Sequence, residues 1–416
     1  MVPYVQTLTP LKLRAAMGFS MNRNLIVCSD GTGNAFAQLS SNVSSLIRCL
    51  DLRSQPDKSN AQQIAFYDQG VGTNPGLARD AHDYSVFERE AEMLKVLPEP
   101  RHWTPGWFAW LAGMAAGYGL RENIKEMVRA LSSHYRPGDR IHLFGFSRGA
   151  FTVRALAGFL YRCWLPPKGI SDFDDWFNKA FKLYEPHEPP EEVEKFRAKG
   201  VKVEIEFLGI WDTVKSYGGI IPISWPHLRH NPIVKQVRHA LALDERRAWF
   251  QHTTWGSTRE KLDGIPLEND LRYDNQVVQE VWFRGCHSDV GGGDAERDSA
   301  KVALLWMLGE ATQYGLRLNG HGERLFQSAG DLNSEIKVHE SFRWYWWPLG
   351  IIPRRELNNT SRPPATPWTM KPRVARDPLA PPWEGKQVLV HASAIRDCGI
   401  KGYRLVKTSK PPFSLR

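Results

Sequence analysis

Cysteine is scarce, and none of the five cysteines (Cys28, Cys49, Cys163, Cys286 and Cys398) forms a Cys-x-x-Cys pair. An odd number without paired spacing argues against a disulfide framework and a zinc ribbon, and suits synthesis in a reducing compartment. Long hydrophobic runs are missing as well. The opening MVPYVQTLTPLKLRAAMGFS has no continuous apolar stretch of the secretory-signal kind, and Met21 is a second candidate start. The most apolar window, WFAWLAGMAAGYGL at 107–120, is fourteen residues long with three glycines. That falls short of the roughly 20 a membrane-spanning helix needs, so it reads as a buried or lid segment, with interfacial insertion the lesser alternative. The expected location is cytoplasmic. No internal repeat is visible. No Gly-Lys-Ser/Thr follows the early glycine-rich loop, which excludes a phosphate-binding Walker loop. Cys28 stands where an Asp-x-Asp-Gly-Thr phosphatase would carry its nucleophile, which argues against aspartyl-phosphate chemistry.

Acidic residues are thin towards the C-terminal end. Residues 351–416 hold 13 Lys/Arg against 4 Asp/Glu, an excess of +9 that equals the formal net charge of all 416 residues. The first 350 residues are close to neutral. A basic end reads first as a solvated surface and second as a contact for an acidic partner or an anionic membrane. Residues 341–355, SFRWYWWPLGIIPRR, combine interfacial aromatics with arginines, so peripheral membrane contact through this stretch and the basic tail is the partner expectation. No nucleic-acid partner is expected.

What is present is a series of short apolar runs, each ending in Gly, Asp, Ser or His. They are NLIVCSDGTGN (24–34), QIAFYDQGVGT (63–73), RIHLFGFS (140–147), VKVEIEFLGIWDTV (201–214) and VQEVWFRGCHSDVGGG (278–293). Near-continuous apolar runs suit strands buried on both faces. Helical patterns alternate with them, as in RENIKEMVRALSSHY, RGAFTVRALAGFLYRC and DSAKVALLWMLGEATQYG. The alternation predicts an α/β fold with a mostly parallel, doubly wound sheet, whose ligand chemistry sits at the C-terminal strand ends. The expected organisation is an N-terminal extension over 1–21 and a catalytic domain over 22–316, with cap insertions at 161–200 and 215–275. A basic, Pro/Trp-rich C-terminal extension over 317–416 would pack on it; it includes 8 prolines between 353 and 384.

Gly145-Phe146-Ser147-Arg148-Gly149 fits Gly-x-Ser-x-Gly between a strand and a helix, the setting of a nucleophile elbow. The small flanking residues let strand and helix approach, and Ser147 is left at a helix N-terminus where negative charge is favoured. The alternative is a serine helix cap. A serine nucleophile needs a base and an acid, in the chain order Ser, acid, His. Asp212 lies just past the fourth run and His287 just past the fifth. Asp30 and Asp289 are rivals for the acid; Asp289 also suits a role in tying down the Asp-Val-Gly-Gly-Gly turn. His252 is the main rival for the base, with His142 inside a strand and His134 at a helix end. Oxyanion donors are expected from the backbone N–H of Arg148 and from the loop holding Gly31 and Thr32, ordered by Asp30.

SDGTGN, GVGT, LFGFSRGAFTVRALAGFL, GIWDTV and GCHSDVGGG occur in an order that resembles an α/β-hydrolase domain family. Its best-understood members are type VI secretion phospholipase effectors. The resemblance runs over about 22–310, with a weaker echo in VHASAIRDCGIKGYRLV. It implies an α/β-hydrolase-like fold, Ser147 as nucleophile, His287 as base and Asp212 as acid. It also implies a serine esterase acting on lipid acyl esters with no metal or cofactor, and export by a type VI system as an alternative to a cytoplasmic life. Cys286 before the histidine departs from the family pattern. The rival expectations are a catalytically idle α/β scaffold that binds partners, and a cytoplasmic esterase with a non-lipid substrate.

Overall fold

The computed structural model describes residues 23–31, 41–52, 63–68, 94–96, 118–185, 190–214, 225, 227–247, 250–255, 276–293, 298–328, 338–341, 354–355, 368–369, 376, 389–391 and 404–406. Within these, nine strands form one sheet: β1 (Asn24–Ser29), β2 (Gln63–Asp68), β3 (Leu94–Val96), β4 (Arg140–Phe146), β5 (Ile205–Trp211), β6 (Val234–Ala242), β7 (Val277–Phe283), β10 (Leu389–His391) and β11 (Arg404–Val406). The order is β11-β10-β7-β6-β5-β4-β1-β2-β3, and every pairing is parallel. A separate two-stranded antiparallel pair joins β8 (Arg354–Arg355) and β9 (Trp368–Thr369).

The alternating side chains of each strand face two apolar layers. Leu25, Val27, Ile141 and Leu143 pack with α2 (Tyr118–His134), α3 (Arg148–Cys163) and α4 (Phe173–Tyr184) on one side. Ile26, Cys28, Phe144 and Trp211 pack with α1 (Asn42–Cys49) and α7 (Asp298–Gln313) on the other. Two covered faces explain why the strands read as unbroken apolar runs. The chain builds outward from β1 through β2 to β3, then returns to place β4 on the opposite side of β1. The crevice outside the β1 and β4 ends is therefore the topological switch point, where open α/β sheets bind ligands. Ser147 directly follows β4.

The expected doubly wound parallel sheet is thus the observed one. One part of the expected organisation needs correction: the stretch 215–275, read as a cap insertion, contains β6, a nine-residue strand inside the sheet. Residues 161–200 carry the end of α3, then α4 and α5 (Pro190–Arg197). Leu389–Val390 pairs with Val281–Trp282, so chain from beyond residue 317 extends the same sheet. Residues 107–117, and most of 341–355, lie outside the described residues. No helix among the described residues is long and apolar enough to cross a membrane.

Candidate active site

The turn from β4 into α3 is strained at the serine, with φ 57° and ψ −119° at Ser147. A non-glycine residue in this region persists only where its surroundings enforce it. Two close approaches do so. A Cβ on Gly149 would lie 2.1 Å from the Ser29 carbonyl oxygen, and one on Gly145 would lie 2.6 Å from the Gly149 carbonyl oxygen. Only glycine lets α3 start this close to the end of β1. The Ser147 N–H donates to the Trp211 carbonyl at 3.1 Å, which ties the elbow to the end of β5.

Asp212 follows that carbonyl immediately, itself at φ 38° and fully buried. Its Oδ2 accepts from His287 Nδ1 at 2.6 Å, and its Oδ1 accepts from the Ala242 N–H at 3.0 Å. An ionised carboxylate has no proton to give, so Nδ1 carries the hydrogen and Nε2 keeps its lone pair. His287 opens α6 (His287–Gly291). Its ring lies 4.6 Å from that of Phe146 and 5.0 Å from that of Phe250, and Phe146 is the neighbour of Ser147. The imidazole is therefore bonded to the residue that follows β5 and lies against the ring of the residue that precedes Ser147.

Arg376 completes the acid's surroundings. Its guanidinium, with only 4% of the side chain exposed, donates to Asp212 Oδ1 at 2.5 Å and Oδ2 at 3.0 Å, and to the carbonyls of Ala242 and Phe250 at 2.8 and 2.6 Å. Burial alone would raise the Asp212 carboxyl. The Arg376 charge and the hydrogen bonds from His287 and Arg376 outweigh it and hold the group far below the usual carboxylate range. Burial pulls the His287 imidazole below its ordinary value, against the opposing hydrogen bond and charge of Asp212. The His287 N–H donates to Glu245 Oε2 at 3.1 Å. Burial also works against ionisation of Glu245, but hydrogen bonds and charge from Arg247 bring it down to about 2.

The other candidates separate from this cluster. Asp289 accepts from the Cys286 N–H at 3.0 Å, the Ser299 hydroxyl at 2.9 Å, and His339 through N–H at 2.8 Å and Nδ1 at 2.6 Å. It holds the turn that carries His287 and is not the imidazole's partner. Asp30 accepts from the Gly31 N–H at 2.6 Å, from Tyr67 OH at 2.9 Å and from the Ser41 hydroxyl. Gly31, expected to offer its N–H to a ligand, thus has Asp30 as a competing acceptor, and Thr32 lies outside the described residues. Arg148 begins α3 at the elbow. His142 is buried in β4, His134 bonds the Ala130 carbonyl at 2.9 Å, and His252 packs on Trp282.

Three contributors escaped the sequence reading. Arg376 lies in a proline-rich basic stretch with no local pattern to distinguish it. The Ala242 N–H closes β6 and Glu245 follows it; the run VKQVRHALALDE carries Lys235, Arg238 and His239, which blurs its apolar signal. A buried pair also supports the Asp212 loop from below. His239 Nδ1 donates to Glu280 at 2.7 Å, and His239 Nε2 accepts from the Thr213 N–H at 3.2 Å. Among the described residues, no group of three or more His, Cys, Asp or Glu is placed to hold a metal ion.

Residues 23–310 match the model of a protein family described as the catalytic domain of Tle1-like phospholipase effectors of the type VI secretion system (T6SS). An uncharacterised Saccharomyces cerevisiae protein is 29% identical over 333 residues, 72% of this chain and 45% of the yeast protein. Among solved structures, an uncharacterised Pseudomonas aeruginosa protein superposes with a TM-score of 0.40 at 21% identity, over 74% of this chain and 48% of that one. The Tle1 effector bound to the VgrG spike gives 0.32 at 19% identity, over 66% and 52%. The chain spans about half the length of these relatives.

Proposed function

Because the chain belongs to the family of Tle1-like T6SS phospholipase effector catalytic domains, we propose that it is a serine hydrolase that cleaves the acyl esters of phospholipids. The observation that carries this reading is the 2.6 Å bond from His287 Nδ1 to Asp212, formed beside a strained serine at the helix N-terminus of the β4–α3 elbow.

In the reaction, Ser147 Oγ attacks the ester carbonyl carbon while His287 Nε2 takes its proton. Asp212 holds the imidazole in the required tautomer and stabilises the imidazolium. The Arg148 N–H, at the positive end of α3, donates to the oxyanion. Collapse of the tetrahedral intermediate breaks the carbon–oxygen bond to the alcohol, which leaves with the proton from His287. Water, deprotonated by the same nitrogen, then attacks the acyl-serine, and the bond to Ser147 Oγ breaks as His287 returns that proton to it, releasing the fatty acid. Burial favours this cycle by keeping His287 neutral, and so basic, at neutral pH.

The test pairs a fluorophosphonate probe with phosphatidylglycerol and phosphatidylethanolamine vesicles, using wild type and Ser147→Ala. Labelling and fatty-acid release by wild type alone are expected. A wild type that stays unlabelled, or an alanine variant that hydrolyses as fast, sinks the proposal. Labelling together with inert vesicles moves the substrate from lipids to another acyl ester.

A further inference from the structure

The acid's partner Arg376 lies 66 positions beyond the end of the family match at 310. A carboxylate that only orients an imidazole needs one hydrogen bond to it. Asp212 instead accepts four: one from His287, one from the Ala242 N–H and two from Arg376. That saturates the acceptor sites of a carboxylate. The same guanidinium clamps the Ala242 and Phe250 carbonyls, which belong to the segments that flank the acid and the His287 ring. The contact is not an isolated one. Ser341 Oγ donates to Glu245 Oε1 at 2.9 Å, and His339 bonds Asp289, so three side chains from beyond residue 317 each rest on a carboxylate around His287.

We propose that Arg376 is a positioning residue of the hydrolase: through it the C-terminal segment completes the site, holding the Asp212 carboxylate ionised and in the plane that meets His287, and tempering the negative charge the imidazole feels. The inference rests on the serine-hydrolase reading. A fully buried carboxylate without a counter-charge tends to take up a proton and would then no longer accept from Nδ1. A planar fork also fixes the carboxylate's rotation, which a point charge does not.

Several other charged groups face the pair. Asp212 is approached by His239 and His252, and His287 by Glu245 and Arg247. Asp289, in the same turn, accepts hydrogen bonds from the His339 N–H and Nδ1. None of these groups other than Arg376 puts a permanent positive charge on the Asp212 oxygens. Its removal should therefore let the Asp212–His287 pair hold its proton to higher pH.

The experiment uses the full chain as wild type, Arg376→Ala and Arg376→Lys. Fluorophosphonate labelling rates are followed from pH 5 to 9, beside a titration of nitrogen-15-labelled His287 by NMR, its signal assigned by loss in His287→Asn. For Arg376→Ala, labelling at pH 7 should fall at least tenfold. Its acid limb and the His287 titration should both move up by roughly one pH unit, a tenfold gain in proton affinity. Arg376→Lys should restore the limb but only part of the rate. A rate loss with limb and titration unmoved would make Arg376 a structural strut and overturn the proposal, as would wild-type rates in both variants. Should Arg376→Ala fail to fold, Arg376→Gln takes its place: an acid limb and a His287 titration that both move up support the proposal, and a limb and titration that stay at wild-type values overturn it. A wild type that never labels refutes the hydrolase reading instead, and the His287 titration still answers for Arg376.

Discussion

Replacing Asp212 by asparagine separates what this site does for stability from what it does for reactivity. Each carboxylate oxygen accepts two hydrogen bonds, Oδ1 from Ala242 and Arg376 and Oδ2 from His287 and Arg376. An amide keeps one oxygen and turns the other into a donor. With its nitrogen at the Oδ2 place, it faces a guanidinium N–H and forces Nδ1 to accept, which puts the imidazole proton on Nε2 and removes the base. With its nitrogen at the Oδ1 place, it opposes the Ala242 N–H and Arg376 together. In both orientations the Arg376 guanidinium, 4% exposed, loses its counter-charge. Breaking a buried pair on one side costs roughly 3–5 kcal/mol, a large part of the stability of an ordinary domain. The loss of the productive tautomer should lower kcat by roughly 10³–10⁴. Urea unfolding and hydrolysis of an activated ester measure the two effects. The double variant Asp212→Asn/Arg376→Gln should recover much of the lost stability and none of the activity, because the stranded charge is gone while the base is still missing. An Asp212→Asn protein that keeps its urea midpoint and hydrolyses within tenfold of wild type would refute the reasoning.

Gly149→Ala would drive a methyl group into the Ser29 and Asp30 carbonyls, at 2.1 and 2.5 Å, where only backbone can yield. The expected loss is roughly 3 kcal/mol, with impaired fluorophosphonate labelling of Ser147; an unchanged urea midpoint would mean that α3 does not start where described. Burial lowers His142 from 6.5 to about 4. Between those values only the unfolded chain takes the proton, so stability is full above pH 6.5 and falls as pH drops towards 4. His142→Gln should flatten the dependence of the urea midpoint on pH in that window, and identical slopes in both proteins would count against a buried neutral imidazole. Burial likewise lowers His287, so the acid limb of ester hydrolysis should lie below pH 6.5 in wild type; a limb above that value would contradict a desolvated base.

Much of the fold could be read along the chain because its strands are local signals. NLIVCS, RIHLFGF and IEFLGIW are buried on both faces, so each is predominantly apolar and ends abruptly where the backbone leaves the sheet. β6 was missed because its run carries Lys235, Arg238 and His239, and two of these polar groups are paired inside the protein: Arg238 with Glu310 at 2.7 Å and His239 with Glu280 at 2.7 Å. A strand whose polar side chains are satisfied by distant partners looks polar in isolation. Leu389–His391 is too short to stand out before its pairing with β7 is known.

The candidate site divides along the same line. Ser147 was marked by its own neighbours, because the elbow demands glycine on both sides and those glycines are adjacent in the chain. Asp212 and His287 could be nominated from strand ends, since a parallel sheet brings those ends to one rim. Choosing among Asp212, Asp289 and Asp30 was a matter of side-chain direction across 75 residues, which no spacing encodes; the 2.6 Å bond to His287 belongs to Asp212. Arg376 was invisible for a stronger reason. Its surroundings in the chain are those of a solvated basic segment, and its place is decided by a buried carboxylate 164 positions away that needs a counter-charge. Local chemistry, written in adjacent residues, was determined by the sequence alone; the pairing of charges that must leave water together was decided only when the fold closed around them.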